Sequence, residues 1–451
     1  RVSQYGNFPG LVGRAIHCLF SGLERTQAVK EDASPKAEEL TVAKPRHGLA
    51  AVLTPFESLS NRNFRYLWLG QLGAASAMWA EAVARNWLTW EMTHSGLALG
   101  LVNLFRALPL LVVGLWGGVA ADRFDKRKLL MVIQTWSLLF YILMAVLIEK
   151  DWIKLWHIYF TATALGMGLA VNQPVRTSFI PQMVDKRQLV NALSLNSIAI
   201  NVSRLIGPAL IGLLIAFAGV GPAYMVSAGL YCLVILSTYM LQPGTQPERK
   251  GRKSMGVELV EGFRFMLRER VVLALVVLAL GPLGFAFSYT TLLPVFSTEV
   301  LHWGATGFGS LQSVSAVGAL VGGLTLASRG NIPHKSFLML GSGLGYGLLI
   351  MALGGVRFAA LAFLVIALVG ACQTIFRAAN NSTLLEITPT HLQGRVISVT
   401  LLDRGIQPLA SVVAGLLVDL ANVSMALVFI GGVCALIVAT ITLMEPKLRH
   451  L

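Results

Sequence analysis

Residues 96–148 read GLALGLVNLFRALPLLVVGLWGGVAADRFDKRKLLMVIQTWSLLFYILMAVLI, two apolar runs joined by a short charged turn. Each run is near the ~20 residues a helix needs to cross about 30 Å of hydrocarbon. In the turn, Asp122 is followed by Arg123, Lys126, Arg127 and Lys128, a basic cluster of the kind that stays on the cytoplasmic side of a membrane. The stretch is therefore a transmembrane hairpin, and the chain on either side of it repeats the pattern.

Twelve such spans are expected, at about 64–90, 96–119, 129–148, 155–179, 190–217, 221–241, 271–297, 304–327, 336–354, 357–379, 395–420 and 423–443. Lys186 and Arg187 follow the fourth span, seven Lys and Arg between Arg249 and Arg270 follow the sixth, and Arg329 and Lys335 follow the eighth. The opposite loops carry only Lys150, Lys154 and Arg357, so both termini are expected in the cytoplasm of a multi-pass inner or plasma membrane protein. Trp87, Trp90, Trp152, Trp156 and Trp303 fall at the outer span ends, where an aromatic belt would sit. Composition agrees: 55% of the 451 residues are hydrophobic and 13% charged, about half the charged fraction of a soluble protein. The net charge of +14 is spread over loops, which fits topology and anionic headgroups, not nucleic acid.

Five segments follow. Residues 1–60 form a cytoplasmic tail, in which Leu11, Ala15, Leu19, Phe20 and Leu23 share one face of a possible interfacial helix. The tail lacks the apolar core and cleavage site of a signal peptide, and its start at Arg1 is that of a fragment or a mis-called start. A six-helix bundle at 61–241, a cytoplasmic linker at 242–270, a second bundle at 271–443 and a short cytoplasmic tail at 444–451 complete the chain. In the linker, 258–270 is expected as a surface amphipathic helix. Internal repetition supports two halves: Arg204-Leu-Ile-Gly-Pro208 recurs as Arg404-Gly-Ile-Gln-Pro408 200 positions on, and Arg176 is matched by Arg377 201 positions on.

No enzyme chemistry is legible. There is no phosphate loop ending in Gly-Lys-Ser/Thr, His, Cys and acidic residues form no ligand cluster, and no metal or other cofactor is expected. Cys18, Cys232, Cys372 and Cys434 lack metal or redox spacing and read as small hydrophobes.

The turn Gly118-Val-Ala-Ala-Asp122-Arg123-Phe-Asp125-Lys126-Arg127 resembles the loop motif of the major facilitator superfamily. Together with NFRYLWLGQL opening the first span, QPVRTSFIPQMVDKRQLVNALSLNSIAINVSRLIGPALIGLLI and LPVFSTEVLHWGATGFG, it is similar to the enterobactin-exporter-like branch, which includes macrolide efflux pumps, over about residues 60–443. The resemblance implies an all-α membrane protein of twelve helices in two pseudo-symmetric six-helix bundles. It also implies that Gly118, Asp122, Arg123, Lys126 and Arg127 form a conformational latch on the cytoplasmic side. Asp125 stands where Gly is commoner, and Asp tolerates the positive φ such a turn can need. The second-half counterpart, Gly322-Gly323 through Ser328-Arg329, has lost its acid. Gly207-Pro208 with Gly212 resembles the fifth-helix motif of drug antiporters, although a kinked, closely packed helix would look the same.

Charges inside the spans are costly, so each needs a partner or an aqueous cavity. Glu81 and Arg85 lie one helical turn apart in the order that favours an ion pair, and Arg106 lies at a similar depth. Glu81 reads either as a static partner or as a proton-coupling carboxylate, and Asp403, beside Arg404, reads the same two ways. Arg85, Arg106, Arg176, Asn201, Arg204 and Arg377 are candidate cavity residues, with snorkelling to headgroups the alternative for Arg176. The expected function is proton-coupled export of a hydrophobic or amphipathic drug-like or siderophore-like molecule by a monomeric carrier working by alternating access. A lipid or lysophospholipid flippase of the same fold, or a transport-inactive sensor or scaffold, is the alternative. Expected partners are the small-molecule substrate, protons and the lipid bilayer.

Overall fold

Helix ends in the computed structural model are set by local chemistry. The described residues are 54–123, 125–242, 268–328, 335–389 and 403–450, with isolated positions between. Among them, twelve helices follow in order. They are α1 (Arg62–Thr93), α2 (Gly96–Arg123), α3 (Lys126–Glu149), α4 (Leu155–Phe179), α5 (Leu189–Ala218), α6 (Val220–Tyr239), α7 (Arg270–Val300), α8 (Gly304–Ser328), α9 (Lys335–Gly355), α10 (Ala359–Ile387), α11 (Asp403–Leu420) and α12 (Val423–Met444). Eight of these, α3, α5 to α10 and α12, are long and apolar enough to cross a membrane by length and composition.

Asn61 begins α1 by accepting from the Asn63 and Phe64 amides at 3.0 and 3.3 Å, and Asn422 caps α12 through the Met425 amide at 2.9 Å. Gly219, at φ +84°, separates α5 from α6 in a conformation that side chains resist, and its N–H closes α5 onto the Ile215 carbonyl. Asp125 has φ −60° and caps α3 by accepting from the Arg127 and Lys128 amides at 2.9 and 3.0 Å. The positive φ anticipated there does not occur, because the residue serves as a helix cap.

The span limits read from sequence fall within a few residues of the helices except at two places. α10 runs on to Ile387, about two turns past the expected end. The start of the eleventh span, 395–402, lies for the most part outside the described residues, as do the tail before Thr54 and the linker positions 243–263 with its expected surface helix.

α7 is not one regular helix. A π-helical segment, Leu280–Phe285, and a 3-10 turn, Ala286–Ser288, lead into the short helix Tyr289–Val295, and a second π turn, Phe296–Val300, closes it. Pro282 has no N–H to donate and crowds the preceding turn, which accounts for the first departure from α geometry. Each residue inserted this way turns the following face by ~100°.

Packing follows pseudo-symmetry. α2 lies along α4 and α11, α5 along α1 and α8, α8 along α10, and α9 along α12. The crossings between the first six helices and the last six rest on small residues. A Cβ on Gly212 of α5 would sit 2.6 Å from the Ala305 carbonyl oxygen, and one on Gly309 of α8 would strike the Pro208 carbonyl. A Cβ on Gly96 of α2 would sit 2.5 Å from the Gly415 carbonyl oxygen of α11. Only glycine permits backbones to approach this closely, as in other membrane helix pairs.

The aromatic belt is partial. Trp152, Trp156 and Trp303 are exposed, but Trp90 is 3% exposed and belongs to the core beside Ala84 and Tyr224.

Candidate functional site

Glu81 sits on α1 at a position 1% exposed, shielded from bulk water. Two guanidinium groups replace that water. Arg85, one turn on, donates from Nε to Glu81 Oε1 at 2.7 Å, and Arg106 Nε of α2 lies 3.5 Å from Oε2. A carboxylate between two such groups is stabilised electrostatically, and removing Glu81 would leave two buried guanidinium charges uncompensated at ~3–5 kcal/mol.

The cluster continues away from Glu81 through amides. Arg85 Nη1 donates to Asn86 Oδ1 at 3.3 Å and to Asn103 Oδ1 of α2 at 3.1 Å. The amide nitrogen of Asn103 faces the Leu99 carbonyl at 2.9 Å, Asn86 Oδ1 at 3.1 Å and Thr291 Oγ1 of α7 at 3.5 Å. Thr291 donates in turn to Ser411 Oγ of α11 at 3.1 Å.

On the other side of Arg106 is a small cavity between α1, α2, α3, α4 and α6, lined among others by Gln71, Met78, Tyr141, Asn172 and Tyr231. Arg106 Nη1 is buried without a hydrogen-bond partner among the described residues, as are both amide atoms of Gln134. Buried polar atoms of this kind are suited to water or to a polar ligand group.

Other residues singled out from sequence are distributed differently. Arg204 of α5 stacks over the Trp79 ring at 5.7 Å and donates to Gln373 Oε1 of α10 at 3.4 Å, so it joins the two halves near mid-span. Asn201 is exposed and donates back to the Ser197 carbonyl of its own helix. Arg176 is 2% exposed and donates from Nη1 to the Leu67 carbonyl of α1 at 2.9 Å, so its guanidinium turns into the bundle instead of outward. Arg377 on α10 is exposed. Pro208 and Gly212 lie in the α5–α8 crossing, where the Ala209 amide also donates to Ser313 Oγ at 3.0 Å, and a Cβ on Gly207 would make ordinary contact with Trp79.

Of the latch, Lys126 donates from Nζ to the Ser178 carbonyl of α4, and Arg127 donates to the Tyr239 carbonyl of α6 and lies over the Tyr239 ring at 5.4 Å. Gly118 lies in the last turns of α2, and the side chains of Asp122, Arg123, Asp403 and Arg404 lie outside the described set.

Sequence reading missed Asn103, Thr291, Ser411 and Asp419. Asp419, near the end of α11, accepts from the Ser95 hydroxyl at 2.7 Å and from the Gly96 and Leu97 amides at 2.6 and 3.0 Å. It caps the start of α2 from the other half of the chain, with its charge at the positive end of that helix.

The fold has solved relatives. The chain aligns with a POT family transporter crystallised with 5-aminolevulinic acid at TM-score 0.70 and 13% identity, covering 86% of this chain and 97% of that one. It aligns with a bacterial homologue of the human lysosomal transporter Spinster at TM-score 0.67 and 12% identity, covering 86% and 98%. In sequence it is 28% identical to the staphyloferrin A transporter of Staphylococcus aureus over 79% of this chain and 87% of that protein. It is 25% identical to the multidrug efflux pump Tap of Mycolicibacterium fortuitum over 82% and 92%, and 28% identical to the enterobactin exporter EntS of Escherichia coli over 68% and 73%. The sequence profile of the family described as transmembrane secretion effector matches residues 53–451. The chain belongs to that family, a membrane transporter of the major facilitator superfamily and not an enzyme.

Proposed function

We propose that this transporter exports an amphipathic small molecule, of the drug-like or siderophore-like class, in exchange for protons by alternating access. The observation that carries the reading is Glu81, a carboxylate buried among two arginines beside a polar cavity. A static protein gains nothing from placing three charges at this depth, whereas a carrier that alternately hydrates and neutralises a carboxylate requires one. Relatives with 25–28% identity that are named as an enterobactin exporter, a multidrug efflux pump and a staphyloferrin A transporter support the substrate class.

Close packing of α2 on α11 and of α5 on α8 supports a conformer shut at the ends bearing Asp419, Gly96 and Gly309. With both termini cytoplasmic, those ends face outward and the conformer is open to the inside. The bundles at 61–241 and 271–443 would then rock about these crossings, with the linker and the Asp122 turn on the opposite face. Asp403 remains the second coupling candidate. Inverted membrane vesicles from cells expressing the protein test the reading: a fluorescent amphipathic substrate should accumulate on energisation and leak out when a protonophore is added. Accumulation that ignores the protonophore would exclude proton coupling.

A further inference from the structure

Arg85, Asn103, Thr291 and Ser411 form a hydrogen-bonded chain whose direction is fixed by chemistry. Arginine can only donate, so the Asn103 atom facing Arg85 Nη1 is its carbonyl oxygen, and its NH2 group must face Thr291. Thr291 Oγ1 then accepts from Asn103 and spends its one proton on Ser411, which spends its own on the Gln407 carbonyl. Every link donates the same way, from α1 through α2 into α7 and α11, so the chain leads from the Glu81–Arg85 pair across to the second half of the molecule. Thr291 lies in the short helix between the two π turns of α7, so the irregular backbone determines where its hydroxyl points.

We propose that this chain is the connection through which the charge on Glu81 sets how firmly the two halves hold together, with Asn103 and Thr291 as its positioning residues; it rests on the proton-coupled reading above. With Glu81 ionised, Arg85 is anchored by its Nε and presents Nη1 to Asn103. Protonation removes the anchoring charge, and the guanidinium is free to turn toward Arg106's cavity or water. Asn103 keeps its bonds to the Leu99 carbonyl and Asn86 Oδ1 but loses the cation on its own carbonyl oxygen, and the 3.5 Å link to Thr291, the longest of the chain, is the first to part. The other ionisable groups around Glu81 are Arg106 from α2, Tyr141 from α3 and Tyr224 from α6. Arg176 on α4 is turned to Leu67 and Arg204 on α5 to Trp79 and Gln373, so neither substitutes for Arg85 in the chain.

The experiment measures the distance between spin labels at the exposed positions Phe217 on α5 and Met425 on α12, in a cysteine-free protein in lipid nanodiscs at pH 4 and pH 8, since a carboxylate held by two arginines takes its proton only in acid. Wild type should show a larger separated population at pH 4, Glu81→Gln should hold the pH 4 distribution at both pH values, and Thr291→Val should enlarge the separated population by about 2- to 10-fold at pH 8 while flattening the pH response. Thr298→Val is the control, since that hydroxyl donates within its own helix, to the Pro294 carbonyl, and should behave as wild type. The double variant Glu81→Gln/Thr291→Val should match Glu81→Gln. A wild-type pH response retained in Thr291→Val, with Glu81→Gln still flat, would overturn the chain and leave the coupling carboxylate standing. No pH response in wild type would overturn both.

Discussion

At Asp125 the carboxylate satisfies two amides at the start of α3, and the backbone is extended, not left-handed. Asp125→Ala should therefore lower stability by ~1 kcal/mol and Asp125→Gly by only a few tenths, read as thermal midpoints in detergent. A left-handed residue would instead make Gly the most stable of the three. The pairing of Glu81 with Arg85 was legible in the sequence because two residues four apart on a helix must be neighbours. Its pairing with Arg106 followed from matched depths in adjacent spans. Arg176 was not legible: whether an arginine near a span end reaches headgroups or a backbone carbonyl depends on which helix lies beside it, here α1 at Leu67. Trp90 illustrates the same limit, since position along a span sets depth but not which face a ring takes.

The helices meet through devices of different legibility. Pro208 and the glycines of α5 announced a kinked, closely packed element, and the α5–α8 crossing is built on them. Gly309→Leu should force these helices apart at that crossing and raise thiol labelling of cysteines placed at the neighbouring ends of α5 and α8; unchanged labelling would mean that the crossing tolerates bulk and is no pivot. Asp419→Asn keeps the shape of the cap on α2 but removes its charge from the helix N-terminus, which should weaken closure at those ends by about 2- to 30-fold in the same labelling assay. That cap could not be read from the sequence, because Asp419 and Gly96 are 323 positions apart and neither resembles a motif. The π turns of α7 were hidden for another reason: apolar length identifies a span, whereas helical register inside it depends on neighbours that tolerate the inserted residue.

Across the whole molecule, the twelve-helix count came from apolar length and the positions of Lys and Arg, which depend only on the solvent, and the described helices follow that reading. The polar chain through Asn103, Thr291 and Ser411 depends on how separate helices face one another, and ordinary polar residues carry no mark of it. The proposed function places the coupling where those two levels meet, in a charged cluster of the first half joined to the second. The most direct test compares purified wild type and Glu81→Gln in proteoliposomes, measuring counterflow of labelled substrate and its uphill movement driven by an imposed proton gradient. Counterflow retained in Glu81→Gln with uphill movement lost is the result expected of a coupling carboxylate; equal uphill accumulation by both proteins would contradict it.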